Sequence, residues 1–133
     1  MKSLSTNIIF IAALSFSSIS FVLAGDLVPF SDEELKTFLT DKSYPIGGKT
    51  LAKSKGAFYF HSDGTMDALW KGKKETTTWK VEGDSKFCYK LKMFGPRECL
   101  QLVKNTKTGG YVQILDNKKR KLVADSIVTG KKF

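Results

Sequence analysis

Apolar and polar residues alternate through most of the chain, and this alternation constrains the fold more than any other feature of the sequence. Between Phe87 and Met93, apolar side chains occupy every second position, separated by Cys88, Lys90 and Lys92. A period of two is typical of a β-strand with one buried face. Turn sequences rich in Gly, Asp and Pro interrupt the alternation about every eight to twelve residues, a spacing that predicts an antiparallel β-meander.

The alternation predicts six to eight antiparallel strands and therefore a mainly β fold. The clearest strands lie at 57–61, 65–71, 76–82, 87–93, 98–103, 111–115 and 122–127. A meander of this kind forms either a small up-and-down β-barrel or a compact sandwich. We favour the barrel, because closure removes exposed strand edges.

A short N-terminal helix is predicted before the first long strand. Ser31 and Glu34 have the spacing of a capping box, in which each residue's side chain binds the other's backbone N–H. Leu35, Phe38 and Leu39 follow at the i, i+3, i+4 spacing of one apolar helix face. The spacing predicts two to three turns that pack across one end of the β-structure.

Residues 1–24 have the pattern of a secretory signal peptide. Lys2 supplies the positive start, residues 8–14 the apolar segment, and Ala24 a small residue for cleavage before Gly25. Serines interrupt the apolar run, which is shorter than the roughly 20 residues of a transmembrane helix. We therefore expect no transmembrane anchor, a single β-barrel domain at 25–133, and a periplasmic or secreted location.

The chain has two cysteines, Cys88 and Cys99, on consecutive predicted strands either side of the turn at Phe94-Gly95-Pro96. If the hairpin turns midway between them, their side chains face each other at about 4.5–5.5 Å. Disulfide geometry accepts the close end of that range. Disulfides persist in exported proteins, so we predict a Cys88–Cys99 disulfide. A redox pair usually has the closer C-x-x-C spacing.

The charge is strongly basic and unevenly distributed. The chain has 22 Lys and Arg against 13 Asp and Glu, yet residues 26–41 hold five acids and one Lys. In an exported protein this charge favours contact with anionic envelope polymers or lipid headgroups, and it gives no support to a nucleic-acid partner. The candidate contacts are Lys71, Lys73, Lys74, Lys90, Lys92, Lys118, Lys119, Arg120 and Lys121.

The sequence offers little for catalysis. His61 is the only histidine, which excludes zinc sites with two or more His ligands. Asp63, Asp67 and Glu82 are the available carboxylates for a glycosidase pair, but their spacing is that of ordinary strand and turn residues. We therefore predict no catalytic, cofactor or metal-binding residues, and we keep an undetected hydrolase as an alternative.

Several short motifs resemble a bacterial family. They are Leu35 and Leu39 on the helix, Phe60-x-x-Asp63-Gly64-Thr65, Trp79-x-Val81-x-Gly83-Asp84, and the cysteines that follow. Together the motifs span about residues 31–115. The pattern resembles a family of small exported proteins, mainly proteobacterial, classed as a domain of unknown function. That resemblance implies a calycin-like β-barrel and supplies no catalytic residues.

Two non-enzymatic functions follow from this sequence. The first is binding of an envelope component through the lysine-rich surface. The alternative is a carrier that holds a small apolar ligand in the barrel lumen, since barrels of about eight strands either enclose one ligand or are filled by side chains. The candidate lumen residues are Trp70, Trp79, Phe87 and Tyr89.

Overall fold

A computed structural model describes residues 25–133, so the predicted signal peptide lies outside the described residues. The described chain contains one helix and ten strands. In chain order these are β1 (Leu27–Pro29), α1 (Asp32–Leu39), β2 (Lys42–Ile46), β3 (Gly56–Phe60), β4 (Thr65–Trp70), β5 (Lys73–Val81), β6 (Lys86–Tyr89), β7 (Glu98–Asn105), β8 (Tyr111–Leu115), β9 (Lys118–Leu122) and β10 (Val128–Thr129).

The strands form one antiparallel sheet that curls into a half-barrel. From β2 to β9, each strand pairs with the next strand in the chain. The short β10 pairs with the start of β2, and β1 pairs with the part of β7 that extends past β6. The prediction of a mainly β up-and-down fold with a short N-terminal helix is confirmed.

The structure differs from the sequence prediction at the ends of the sheet. It adds β1, β2 and β10; β1 and β10 are three and two residues long, too short to show alternation. The last long strand is β9, at Lys118–Leu122, and not 122–127. Asp116 and Asn117 both have positive φ, 51° and 65°, which makes a two-residue hairpin loop and pairs Leu115 directly with Lys118.

The helix α1 begins as the capping box predicts. The Ser31 hydroxyl accepts a hydrogen bond from the Glu34 N–H at 3.2 Å, and the Glu34 carboxylate accepts one from the Ser31 N–H at 2.9 Å. These bonds satisfy donors that the first helical turn leaves without partners. Leu35 and Leu39 are fully buried, so the apolar face of α1 covers the end of the half-barrel at which β2 begins.

Aromatic side chains fill the interior next to the helix. Phe60 lies edge to face with Trp79 at a centroid distance of 4.9 Å and with Phe87 at 5.3 Å. Tyr44 also contacts Phe87 edge to face, at 5.7 Å. Such pairs add about 0.5–1.5 kcal/mol each beyond the burial of their surface. This half of the interior is a packed core.

The predicted cysteine pair is confirmed on the outer face of the sheet. Cys88 of β6 is the register partner of Cys99 of β7, and their Sγ atoms lie 2.11 Å apart, at disulfide distance. Phe87 and Tyr89, on either side of Cys88, point into the interior. The disulfide therefore joins two neighbouring strands without occupying the core, and it indicates an oxidising compartment.

Candidate ligand-binding site

Four loops meet at the end of the half-barrel opposite the helix. Because neighbouring strands are antiparallel, alternate connections fall at the same end of the sheet. The connections at this end, which we call the mouth, are residues 47–55, 71–72, 90–97 and 116–117.

A cavity of about 380 Å³ opens at the mouth. It is lined by inward-facing residues of seven strands and by residues of the loops at 47–55 and 90–97. The lining residues are Ile46, Gly47, Phe58, Trp70, Tyr89, Met93, Phe94, Glu98, Leu100, Gln113, Leu115 and Arg120. Known ligand sites in proteins have this size and this mixture of many apolar groups with a few polar ones.

Aromatic rings form one wall of the cavity. Trp70 lies edge to face with Phe94 at a centroid distance of 5.6 Å, and Phe58 lies 4.9 Å from Tyr89. Phe94 belongs to the β6–β7 loop and also reaches Phe58, at 6.4 Å. The wall is therefore built by three strands, β3, β4 and β6, and by one mouth loop.

Two buried tyrosines hold the polar residues of the cavity in place. The Tyr44 hydroxyl donates a hydrogen bond to Gln113 Oε1 at 2.6 Å, and the Tyr89 hydroxyl donates one to Glu98 Oε1 at 2.9 Å. Burial raises the pKa of Tyr44, and burial together with the Glu98 carboxylate raises the pKa of Tyr89. Both hydroxyls therefore stay protonated and act as donors. The first bond also joins β2 to β8 across the interior of the half-barrel.

Arg120 is the only cation among the residues that line the cavity. Its backbone pairs with Gln113 of β8, and it shares the inward face of β9 with Leu122, whereas Lys119 and Lys121 alternate outwards. The Nη1 atom is buried, and no group in the described part of the chain accepts a hydrogen bond from it. A buried donor without an acceptor costs about 1–3 kcal/mol, and more when it is charged.

The predicted lumen residues divide between the cavity and the core. Trp70 and Tyr89 line the cavity. Trp79 and Phe87 also face the interior, but they are packed among the aromatic rings of the core, at 7% and 0% exposure. The four side chains therefore lie on one face of the sheet, at two different distances from the mouth.

Most of the predicted lysine contacts are exposed at the mouth. Lys71, Lys90 and Lys92 belong to mouth loops, and Lys73 and Lys118 begin the strands that leave them. Lys74, Lys119 and Lys121 are exposed on the strands that follow. Arg120 is the exception in the set, because it lines the cavity and does not face the exterior.

Charge is separated between the two ends of the half-barrel. The four mouth loops contain seven Lys and Arg residues and a single acid, Asp116. The loops at the opposite end, 61–64, 82–85, 106–110 and 123–127, contain four acids and a single Lys, Lys107. Helix α1 adds three acids to that end in its first turn.

A cluster of polar side chains around Asp67 lies outside the cavity. Asp67 accepts hydrogen bonds from His61 Nε2 at 2.8 Å, Lys131 Nζ at 2.9 Å and the Thr76 hydroxyl at 2.8 Å. Burial raises the pKa of Asp67, but these three bonds outweigh it and lower that pKa to about 2. The cluster lies on the outer face of the sheet and links the C-terminal segment to β4. Within residues 25–133, no three His, Cys, Asp or Glu side chains are grouped to hold a metal ion.

Sequence reasoning did not identify three polar residues of the cavity by their position. Gln113 alternates in phase with Tyr111 and Leu115, and Arg120 alternates in phase with Leu122. Because side chains two residues apart on a strand lie on the same face, this alternation indicates that both side chains face inwards. Glu98, at the start of β7, alternates in phase with Leu100 and Leu102, so the same signal was available for it.

Comparison of the chain with protein-family models, with curated proteins and with solved structures finds no match. Across residues 25–133, no helix is both long and apolar enough to cross a membrane.

Proposed function

We propose that this protein binds a small, largely apolar molecule in the mouth cavity and acts by binding, without catalysing a reaction. The observation that carries the proposal is the cavity itself, about 380 Å³ and lined by Phe58, Trp70, Phe94 and other apolar side chains. An interior filled to the mouth would have left no such space. Here aromatic rings fill the helix side of the interior, and the cavity opens at the mouth side.

The lining supports a binding function for a second reason. Tyr44 and Tyr89 fix the Gln113 and Glu98 side chains through buried hydrogen bonds. Polar groups held in this way keep one geometry before a ligand arrives, which reduces the entropy lost on binding. A few fixed polar groups within an apolar wall are typical of small-molecule sites.

Binding can be tested with N-phenylnaphthylamine, a neutral probe whose fluorescence rises in apolar surroundings. The critical variant is Leu115→Trp, which places a large ring in the cavity, because Leu115 lines it. Ile114→Trp is the matched control, since Ile114 is the neighbour on β8 that alternates to the outer face. We expect the wild type and Ile114→Trp to bind the probe with similar affinity, and Leu115→Trp to bind it at least about tenfold more weakly.

Equal binding by all three proteins would contradict the proposal, because the probe would then occupy some other surface. No binding by the wild type would contradict it as well. Thermal unfolding of Leu115→Trp within a few degrees of the wild type verifies that the comparison is made on folded protein.

Charge separation favours a second candidate function, contact between the mouth and an anionic envelope polymer or lipid headgroups. The mouth loops carry six of the chain's lysines together with Arg97, and the acids are concentrated at the opposite end. Each lysine near an anionic membrane contributes about 1 kcal/mol. The acidic end would be repelled by the same surface, so the mouth would face it.

Two charge-matched triple variants separate this role from a general effect of net charge. The first replaces Lys71, Lys73 and Lys74 at the mouth with Gln. The second replaces Lys80, Lys86 and Lys107, which lie away from the mouth. We expect only the mouth variant to lose binding to phosphatidylglycerol vesicles, and binding by the wild type to fall steeply as salt is raised.

Equal loss in both triple variants, or binding that does not depend on salt, would exclude the oriented contact. Binding to neutral phosphatidylcholine vesicles with the same affinity would exclude it as well.

We further propose that the protein is exported, with cleavage near Ala24, and works in the periplasm or after secretion. The disulfide supports an oxidising compartment. The motif resemblance to small exported proteins with a calycin-like barrel agrees with this proposal.

A further inference from the structure

We infer that the ligand of the mouth cavity is a singly charged amphiphile whose carboxylate binds Arg120. This inference rests on the proposed ligand-binding function and names the chemistry of the ligand. Its basis is the buried Nη1 atom of Arg120, which has no acceptor within residues 25–133 although the residue lines the cavity.

An anion is the group that this environment lacks. A guanidinium is always charged, and its planar fork matches the two oxygens of a carboxylate. The Gln113 amide, on the neighbouring strand, uses its Oε1 to accept the hydrogen bond from Tyr44, so that its Nε2 end is the one that donates. Arg120 and Gln113 therefore present donors from adjacent strands to one part of the cavity.

The charges of the lining limit the head group to one negative charge. Arg120 is the single cation of the lining, and Glu98 is the single carboxylate. Glu98 already accepts a hydrogen bond from Tyr89. A doubly charged phosphate would exceed what one guanidinium neutralises and would be repelled by Glu98. Glu98 repels a monocarboxylate less, because that head group carries a single negative charge, which Arg120 matches.

Strand register places the head group below the rim of the cavity. Arg120 lies two residues into β9 from Lys118, and Gln113 lies two residues from Leu115, the last residue of β8. Arg120 and Gln113 are therefore the second inward-facing residues of their strands, counted from the mouth loops. The apolar wall of Trp70, Phe94 and Met93 lies at the mouth itself. The ligand thus enters with its carboxylate first, and its apolar part lies against these rings.

The inference is tested by comparing decanoate with decanol, which share an apolar chain and differ in the head group. Calorimetric titration at neutral pH gives both affinities for protein purified after expression of the full chain. We expect decanoate to bind at least about tenfold more tightly, the usual advantage of a hydrogen bond to a charged group. Arg120→Gln should remove this preference, so that decanoate and decanol bind this variant with similar affinity.

Lys119→Gln is the matched control, because it removes the same charge from the neighbouring residue on the outer face of β9. We expect it to keep the preference for decanoate. Arg120→Met is a second variant that keeps an unbranched apolar stem. Because it removes a buried donor without an acceptor, it should unfold at a temperature no lower than the wild type.

The outcomes separate this inference from the proposed function. Equal affinities for decanoate and decanol in the wild type would overturn the inference and leave the ligand-binding function standing. An equal loss of preference in Lys119→Gln and Arg120→Gln would also overturn it, because the basic surface as a whole would then attract the anion. Failure of both compounds and of N-phenylnaphthylamine to bind would overturn the proposed function itself.

Discussion

Replacing both cysteines with alanine tests how much of the stability of this small fold comes from the disulfide. Cys88 and Cys99 are eleven positions apart, so the bond closes a loop of a dozen residues. The chain-entropy model assigns a loop of this length about 3 kcal/mol, because the closed loop restricts the unfolded chain. Alanine is the suitable replacement for Cys88, which is 3% exposed, since a serine hydroxyl there would need a buried partner.

The expected change in unfolding temperature follows from the size of the described fold. Residues 25–133 give an unfolding entropy of about 230 cal/mol/K at the usual value per residue. Dividing about 3 kcal/mol by this entropy predicts a decrease of about 13 °C in the unfolding temperature. Far-ultraviolet circular dichroism during heating measures this decrease directly.

Reduction of the wild type provides the internal control, because it removes the same bond without changing the composition of the core. We expect the reduced wild type and the Cys88→Ala/Cys99→Ala variant to unfold within a few degrees of each other. A decrease of less than about 3 °C in both would refute the entropic reasoning. A variant much less stable than the reduced wild type would show that packing of the two side chains dominates.

Three further predictions concern other parts of the chain. Ser85→Ala should lower the free energy of unfolding, measured by urea titration, by about 1–3 kcal/mol. The reason is that the buried Ser85 hydroxyl accepts a hydrogen bond from the Phe30 N–H at 2.8 Å and donates one to the Leu102 carbonyl. An unchanged free energy of unfolding would mean that these two backbone groups find other partners. The Asp67 pKa is lowered to about 2, so its stabilisation is complete above the unfolded value near 3.9 and is lost as the pH falls towards 2. Asp67→Asn should therefore lose less stability than the wild type between pH 6 and pH 2.5. If the free energy of unfolding fell equally with pH in both proteins, this prediction would be wrong. The intact mass of the exported protein should correspond to a chain that begins at Gly25. A mass that includes residues 1–24 would contradict cleavage after Ala24.

The sequence predicted local features of the fold well. The capping box of Ser31 and Glu34, the main strands and the cysteine pair all depend on residues close together in the chain. Period-two alternation identifies which side chains share a face of a strand, and a short hairpin fixes the register between two strands. These features need no knowledge of how distant strands meet.

Alternation does not predict which inward-facing residues line the cavity, because that depends on their distance from the mouth. Trp70 and Trp79 both face inwards, yet one lines the cavity and the other is packed in the core. The difference is their distance from the mouth, which follows from the register of the whole sheet. Arg120 shows a second cause of error in prediction: within a run of lysines its charge suggested the surface, whereas its position in phase with Leu122 placed it inside.

The disulfide connects the stability of the fold to the geometry of the cavity. Cys88 and Cys99 form the register pair next to Tyr89 and Glu98, which is the last pair before the β6–β7 loop. That loop supplies Phe94 to the aromatic wall, and the pair beside the disulfide supplies one of the fixed polar groups. A covalent bond at this position holds the two strands in register at the point where they enter the mouth. The compartment that keeps the disulfide oxidised therefore also keeps this side of the cavity in the geometry that the proposed function requires.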